Sequence, residues 1–200
     1  MRHIVFSGQL GAGKDEIANI TASILGKPWT RSAFADPVKD IYCRTFSVDR
    51  DFIEKHKRSD VPPEGFSQTV RKSLQFIGDG FRQIKPSIWI DLALNRTEPT
   101  IFSDGRYTNE AKAIGLNNGF SVLVWRPGFE NNDSNSSESQ IVPIITWCVS
   151  TGQNGLIKKD MIPKSMPEIG YYHYFFRNNT RIEDLSSKIK NELMPSITFE

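Results

Sequence analysis

Long apolar runs are missing from this chain. None approaches the ~20 residues that a membrane-spanning helix needs, so no membrane partner is expected. Cysteine is scarce: Cys43 and Cys148 lie far apart and at no metal or redox spacing, which predicts two reduced core thiols. His3, His56 and His173 form no ligand spacing either. A dominant charge is also absent. With 25 Lys and Arg against 23 Asp and Glu, the charge is too balanced to imply wholesale coating of nucleic acid, and any polyanion binding has to rest on particular residues. No internal repeat of solenoid period is present. The opening residues, Met1-Arg2-His3-Ile4-Val5-Phe6, lack the apolar core of a signal peptide and predict a cytoplasmic protein. With 38% hydrophobic and 24% charged residues, the 200-residue chain is expected to fold as one ordinary globular domain over residues 1–200.

Strand and helix patterns alternate along it. Residues 2–6 form an apolar run that reads as a buried strand, ended by Ser7-Gly8. Residues 14–25 carry Ile17, Ala18, Ile20 and Ile24 at helical spacing, closed by Gly26 and Pro28. Trp29 to Phe34 reads as a second strand. Asp36-Pro37 then supplies an N-cap and a proline at the first helical position, for a helix running to about Phe46. A short charged helix is expected over 49–57, a Pro/Gly loop over 58–67, and helices over about 68–83 and 87–95. Further strands are expected at 100–104, 120–125 and 171–176, with helices at 108–117 and 183–193. Residues 127–140 read as a polar, lid-like loop, and 141–170 give no clear pattern. Such alternation predicts an α/β fold with a parallel sheet covered on both faces.

Gly8-Gln9-Leu10-Gly11-Ala12-Gly13-Lys14 fits the Gly-x-x-x-x-Gly-Lys core of a phosphate loop, with an apolar strand before it and an amphipathic helix after it. Glycines let backbone N–H groups converge on phosphate oxygens, the helix N-terminus adds partial positive charge, and Lys14 reaches the β- and γ-phosphates. The bland alternative is a glycine-rich turn with an exposed lysine. Asp15 stands where Ser or Thr usually meets Mg²⁺, and Glu16 follows. A carboxylate there either holds the metal, directly or through water, or simply stabilises the helix N-terminus.

The helix at 68–83 carries two stripes when its residues are placed at about 100° steps. Val70, Leu74, Ile77 and Phe81 form the face expected to be buried. Arg71, Gln75 and Arg82 form a second stripe a quarter-turn away, with Gly78 beside it and no acidic partner evident. Two guanidiniums and an amide suit phosphate and base recognition, or else a solvated face with long side chains. Asp104 ends an apolar strand, where a phosphate-loop enzyme keeps the acid that orients Mg²⁺, and Arg106 follows within reach of a transferred phosphoryl group. Asp36, after the second strand, is read as a base, a ribose contact or a helix cap.

Taken together, these segments resemble the bacteriophage deoxynucleoside monophosphate kinases, nearly end to end. The resemblance rests on Gly13-Lys14-Asp15, Phe34-Ala35-Asp36-Pro37-Val38-Lys39 and Leu74-Gln75-x-x-Gly78-Asp79-x-x-Arg82 with Trp89 beyond. It continues through Ser103-Asp104-x-Arg106-Tyr107-x-Asn109-Glu110-Ala111, Val124-Trp125-Arg126-Pro127 and Asn178-Asn179-Thr180-x-x-x-Asp184-Leu185. That family also tends to place Asp after the loop lysine. The resemblance implies a P-loop nucleotide kinase fold: a five-stranded parallel sheet, an acceptor-binding helical flap at about 47–97 and a lid at about 127–140. It implies ATP on Gly8, Gly11, Ala12, Gly13, Lys14 and Asp15, with Arg126 closing from the lid side. The acceptor would lie near Asp36, Lys39, Arg71, Gln75, Arg82, Trp89, Asp104 and Arg106, and Mg²⁺ near Asp15 and Asp104. Two departures stand out: Glu16 replaces a hydroxyl residue, and the loop around Ser137-Glu138 lacks a histidine common before such a pair.

The expected activity is transfer of the ATP γ-phosphoryl to a deoxynucleoside monophosphate, in a host cytoplasm if the gene is a phage's, with a homodimer left open. Catalysis is expected from Lys14, Arg82, Asp104 and Arg106, through charge neutralisation and positioning. One alternative keeps the kinase and changes the acceptor to the 5-hydroxymethyl group of a modified pyrimidine, such as 5-hydroxymethyluracil, in phage DNA. Asp36 would then act as base, and Arg44, Arg50, Lys55, Lys57, Arg58, Arg71 and Lys72 would supply a basic groove. A nucleotide-dependent switch without an acceptor is a second alternative, in which the 68–83 helix has no purpose.

Overall fold

The computed structural model describes residues 3–129 and 139–197. In chain order the strands are β1 (His3–Ser7), β2 (Thr30–Ser32), β3 (Thr100–Gly105), β4 (Phe120–Trp125), β5 (Gly155–Leu156) and β6 (Tyr174–Arg177). The helices are α1 (Lys14–Leu25), α2 (Asp36–Phe46), α3 (Arg50–His56), α4 (Val70–Ile84), α5 (Ile88–Leu94), α6 (Thr108–Leu116), α7 (Val142–Ser150) and α8 (Ile182–Lys188). The chain divides into two compact units, residues 34–95 and the remainder.

The larger unit is a sheet with strand order β2-β3-β1-β4-β6-β5. Five strands run parallel; β5 is antiparallel to β6, pairing Gly155 with Phe175 and Leu156 with Tyr174. The five parallel strands expected are present, and a sixth, antiparallel edge strand joins them; its two residues carry too little sequence to show a period. Parallel strands covered on both faces are apolar throughout, and β1 and β4 are buried along nearly their whole length. Side chains alternate across the sheet. Val122, Val124 and Phe176 join Ile17, Ala18, Leu185 and Leu193 on one face. Leu123 and Phe175 join Ile144, Ile145, Cys148 and Tyr172 on the other.

Several boundaries differ from expectation. The strand expected at 171–176 begins at Tyr174, because a 3₁₀ turn takes up Pro167–Tyr171. The helix expected at 183–193 is α8 followed by a π-helical segment, Ile189–Leu193, which ends before Pro195. Residues 141–170 contain α7, a nearly all-apolar helix with no polar face to give it a period. Of the lid-like loop, residues 130–138, including Ser137-Glu138, lie outside the described residues.

The smaller unit is helical. Tyr42, Ile53 and Val70 form its core, with Phe52, Phe66, Leu74 and Ile77 packed against it. Two of its helices, α3 and α4, start on side-chain caps: Asp49 Oδ1 accepts the Phe52 N–H at 2.7 Å, and Thr69 Oγ1 accepts the Lys72 N–H at 3.3 Å. Asp36 is not such a cap. The cap position of α2 falls on Ala35, and Asp36 and Pro37 are the first two helical residues. On α4, Val70 is buried as expected, but Phe81 is 40% exposed and Gly78 is buried instead. Gly78 is covered by α5, whose Trp89 donates its indole N–H to the Gly78 carbonyl at 3.0 Å; the Trp89 ring also packs against Phe81.

Candidate active site

Between β1 and α1 the chain makes a tight loop over Gly8–Gly13. At Gly8 (φ 154°) any Cβ would lie 2.3 Å from the Val124 carbonyl oxygen of the adjacent strand, so only glycine lets the chain leave β1 there. At Gly13 the backbone is left-handed (φ 87°), and α1 begins at the next residue. The loop thus ends on a helix N-terminus, whose N–H groups have no intrahelical partner and face an anion site. Lys14 folds back over it, donating to the carbonyls of Gly8 (2.8 Å) and Gln9 (2.7 Å). A cation held over a glycine-rich turn that opens a helix, at the carboxyl edge of a parallel sheet, is an arrangement suited to polyphosphate. The chain has an α/β fold with a P-loop between β1 and α1.

Around this P-loop, Asp15 is drawn into a polar cluster. Its Oδ1 accepts the Ser103 hydroxyl at 2.6 Å and the Arg31 guanidinium at 3.1 Å, and Arg31 also reaches Ser103 (3.0 Å) and Asn19. Asp104 is the next residue on β3, in register beside the start of the loop, since Ser7 of β1 pairs with Gly105. The turn after β3 is held by Glu110, only 3% exposed, whose carboxylate accepts the backbone N–H groups of Arg106 (2.8 Å) and Tyr107 (3.1 Å). Arg106 is therefore fixed by its backbone, with its side chain half-buried. At the end of β4, the Arg126 guanidinium lies 4.2 Å over the Phe129 ring, and that ring sits against Gly11.

The P-loop fold implies magnesium. Carboxylate and hydroxyl oxygens at Asp15, Ser103 and Asp104 are hard donors of the type that Mg²⁺ takes. Among the described residues no group of three or more His, Cys, Asp or Glu is assembled to hold a metal. That donor set fits an ion held partly by phosphate oxygens rather than one caged by protein alone.

Lys14, Asp15, Asp104, Arg106 and Arg126 thus share one unit with the P-loop. Asp36, Lys39, Arg71, Gln75, Arg82 and Trp89 belong to the helical unit. There Asp36 pairs with Arg50 at 3.6 Å, and Lys39 with Glu54 at 3.4 Å. A hydrogen bond from Lys57, helped by the Lys39 charge, keeps the Glu54 carboxyl below its usual range. Arg71, Gln75 and Arg82 are each half-buried on one flank of α4. Arg82 is not without an acidic partner, contrary to expectation: it pairs with Asp79 at 3.3 Å. Its guanidinium also occupies the space beside Gly78, 3.4 Å from where a Cβ would stand. Trp89 is 2% exposed and ties α5 to α4. Three residues were given no role by sequence reasoning. Arg31 sits in a strand too short to show a period, and Ser103, within an apolar run, and Asn178, buried beneath the P-loop, were visible only as parts of family motifs.

No protein-family profile matches the chain. A protein of Acanthamoeba polyphaga mimivirus, provisionally named a deoxynucleotide monophosphate kinase, is 26% identical in a 172-residue alignment that covers 76% of this chain and 88% of that protein. Among solved structures, shikimate kinase from Acinetobacter baumannii with bound shikimate is similar at 14% identity and a TM-score of 0.47, covering 95% of this chain and 91% of its own. Dephospho-CoA kinase from Campylobacter jejuni is similar at 10% identity and a TM-score of 0.41, covering 93% and 92%. No helix among the described residues is long and apolar enough to cross a membrane.

Proposed function

We propose that this chain is an ATP-dependent kinase that phosphorylates a deoxynucleoside monophosphate, in a viral setting such as a phage's. The observation that carries the reading is the P-loop with Lys14 folded across it and Asp15 and Asp104 at its rim. The named activity of the mimivirus relative agrees with it. In this reading Lys14 exchanges the Gly8 and Gln9 carbonyls for the β- and γ-phosphates, and the amides of Gly11, Ala12 and Gly13 bind phosphate oxygens. Mg²⁺, when bound with the nucleotide near Asp15 and Asp104, supplies further neutralisation of phosphate charge. Arg106 stabilises the transferring group, and Arg126 packs over the nucleotide. The helical unit binds the acceptor: Arg71 and Arg82 take its phosphate, Gln75 its base, and Asp36 and Lys39 its sugar or phosphate, with Trp89 supporting α4 from inside.

A monophosphate oxygen attacks as an anion and needs no base, so Asp36 is free to spend its charge on Arg50. A hydroxymethyl acceptor in DNA would instead require Asp36 as base and an unpaired basic groove. Arg50 pairs with both Asp36 and Asp40, and Lys57 with Glu54, which weighs against that alternative. The test is ADP release from ATP with each deoxynucleoside monophosphate, with hydroxymethyl-containing DNA, and with neither. Stimulation by one or more monophosphates is expected. Stimulation by DNA alone, or turnover indifferent to any acceptor, would overturn the proposal.

A further inference from the structure

Asn178 lies at the carboxyl end of β6 and is 6% exposed. Its side-chain amide donates to the Ala12 carbonyl oxygen at 2.8 Å, across 166 residues of sequence. The same nitrogen stands 2.5 Å from where a Cβ on Gly13 would be. The peptide between Ala12 and Gly13 is therefore gripped from behind by one side chain. In a trans peptide the C=O and N–H point in opposite directions. Fixing the Ala12 carbonyl on Asn178 aims the N–H of Gly13, the residue just before α1, away from Asn178.

Asn178 is itself immobilised. Its backbone N–H donates to the Trp125 carbonyl at 2.7 Å, extending the β4–β6 pairing by one residue. Its neighbours are pinned as well: Arg177 Nε donates to the Gln153 carbonyl at 2.8 Å, and Lys188 Nζ donates to the Arg177 carbonyl (2.8 Å) and Asn179 Oδ1 (2.7 Å). A buried donor held on several sides loses little freedom when it orients a partner, which is how a preorganised anion site is supported.

We infer that Asn178 is a positioning residue of the P-loop: it holds the Ala12–Gly13 peptide with its carbonyl turned inward, toward Asn178, so that the Gly13 N–H is presented to a bound polyphosphate. This rests on the reading of Gly8–Lys14 as a phosphate cradle. It also explains the need for glycine at position 13, since any side chain there would press on the Asn178 amide.

The test uses inorganic tripolyphosphate, which engages a phosphate cradle without a base or sugar, in calorimetric titrations of the full chain. Asn178→Ala removes the donor. Asn178→Leu removes it at similar volume and without charge, and carries the test if the alanine variant lacks a cooperative melt. Tripolyphosphate affinity is expected to fall about tenfold in a folded variant, about the largest effect expected from loss of one oriented hydrogen bond. The KM for ATP should rise while the KM for the acceptor stays unchanged, a split that general loosening of the fold would not produce. Affinity within about twofold of wild type in a folded variant would overturn the inference. A wild-type chain that binds neither tripolyphosphate nor ATP would instead sink the phosphate-cradle reading itself.

Discussion

Replacing Asp36 with asparagine separates chemistry from scaffolding at the residue where the two acceptor readings diverge. Asp36 Oδ1 lies 3.6 Å from Arg50 Nη1, and the two side chains are 32% and 40% exposed. A part-exposed pair of this kind contributes about 0–1 kcal/mol. Arg50 also keeps its bonds to Asp40 Oδ1 (2.7 Å) and to the Asp36 carbonyl (2.9 Å) after the change. The carboxylate further faces the N-terminus of α2, worth another ~0.3–1 kcal/mol. The total loss should not exceed about 2 kcal/mol, or roughly 4–8 °C in Tm for a chain of this size. A monophosphate acceptor needs no proton removed, so the single-turnover rate at saturating ATP and acceptor should fall by less than about tenfold, whereas a hydroxyl acceptor would lose about 10²–10⁴-fold. Rates across pH, with a melt of each protein, give both numbers. A hundredfold loss of rate with an unshifted melt would refute the monophosphate reading. A Tm drop far beyond about 8 °C would refute the reasoning about the ion pair.

Lys14→Ala should cut turnover by several orders of magnitude with a near-normal melt, because the lysine's hydrogen bonds go to loop carbonyls rather than into the core; near-normal activity would sink the P-loop assignment. Arg82→Ala breaks a surface i,i+3 pair worth only ~0.3–0.5 kcal/mol, and should raise the acceptor KM more than the ATP KM in initial-rate kinetics. His173 is held below its usual pKa of 6.5 by burial and by nearby Lys159, and its Nδ1 accepts the Ser121 N–H at 3.0 Å. The unfolded chain takes up this proton first as pH falls, so the contribution is full above about pH 6.5 and is lost on acidification. Denaturant melts at a series of pH values should show this acid sensitivity diminished in His173→Gln. Burial pushes the Cys148 thiol up to about 12, so thiol reagents at neutral pH should label the native chain at Cys43 well before Cys148.

Where local pattern and tertiary role coincide, the sequence was legible. β4 spans the residues its apolar run marked out, and α1 begins at Lys14 as the glycine-lysine spacing requires. What escaped it depends on neighbours distant in sequence. Asp36 carries every local mark of a cap, yet its carboxylate goes to Arg50, fourteen residues on, and the cap position falls to Ala35. Gly78 suggested open space on α4, but Arg82 and the Trp89 indole fill its surroundings. Arg31 and Ser103 acquire meaning only when β2 and β3 bring them to Asp15, and Asn178 only when β6 ends under the P-loop. The edge strand β5 is set by pairing with β6, which no local period announces.

The most direct measurement of the central claim is transfer of label from γ-labelled ATP, in the presence of Mg²⁺, to each deoxynucleoside monophosphate in turn, with Lys14→Ala alongside. The account predicts a labelled deoxynucleoside diphosphate for at least one acceptor with the wild-type chain and essentially none with the variant. Label that appears only as inorganic phosphate, or only in hydroxymethyl-containing DNA, would contradict it.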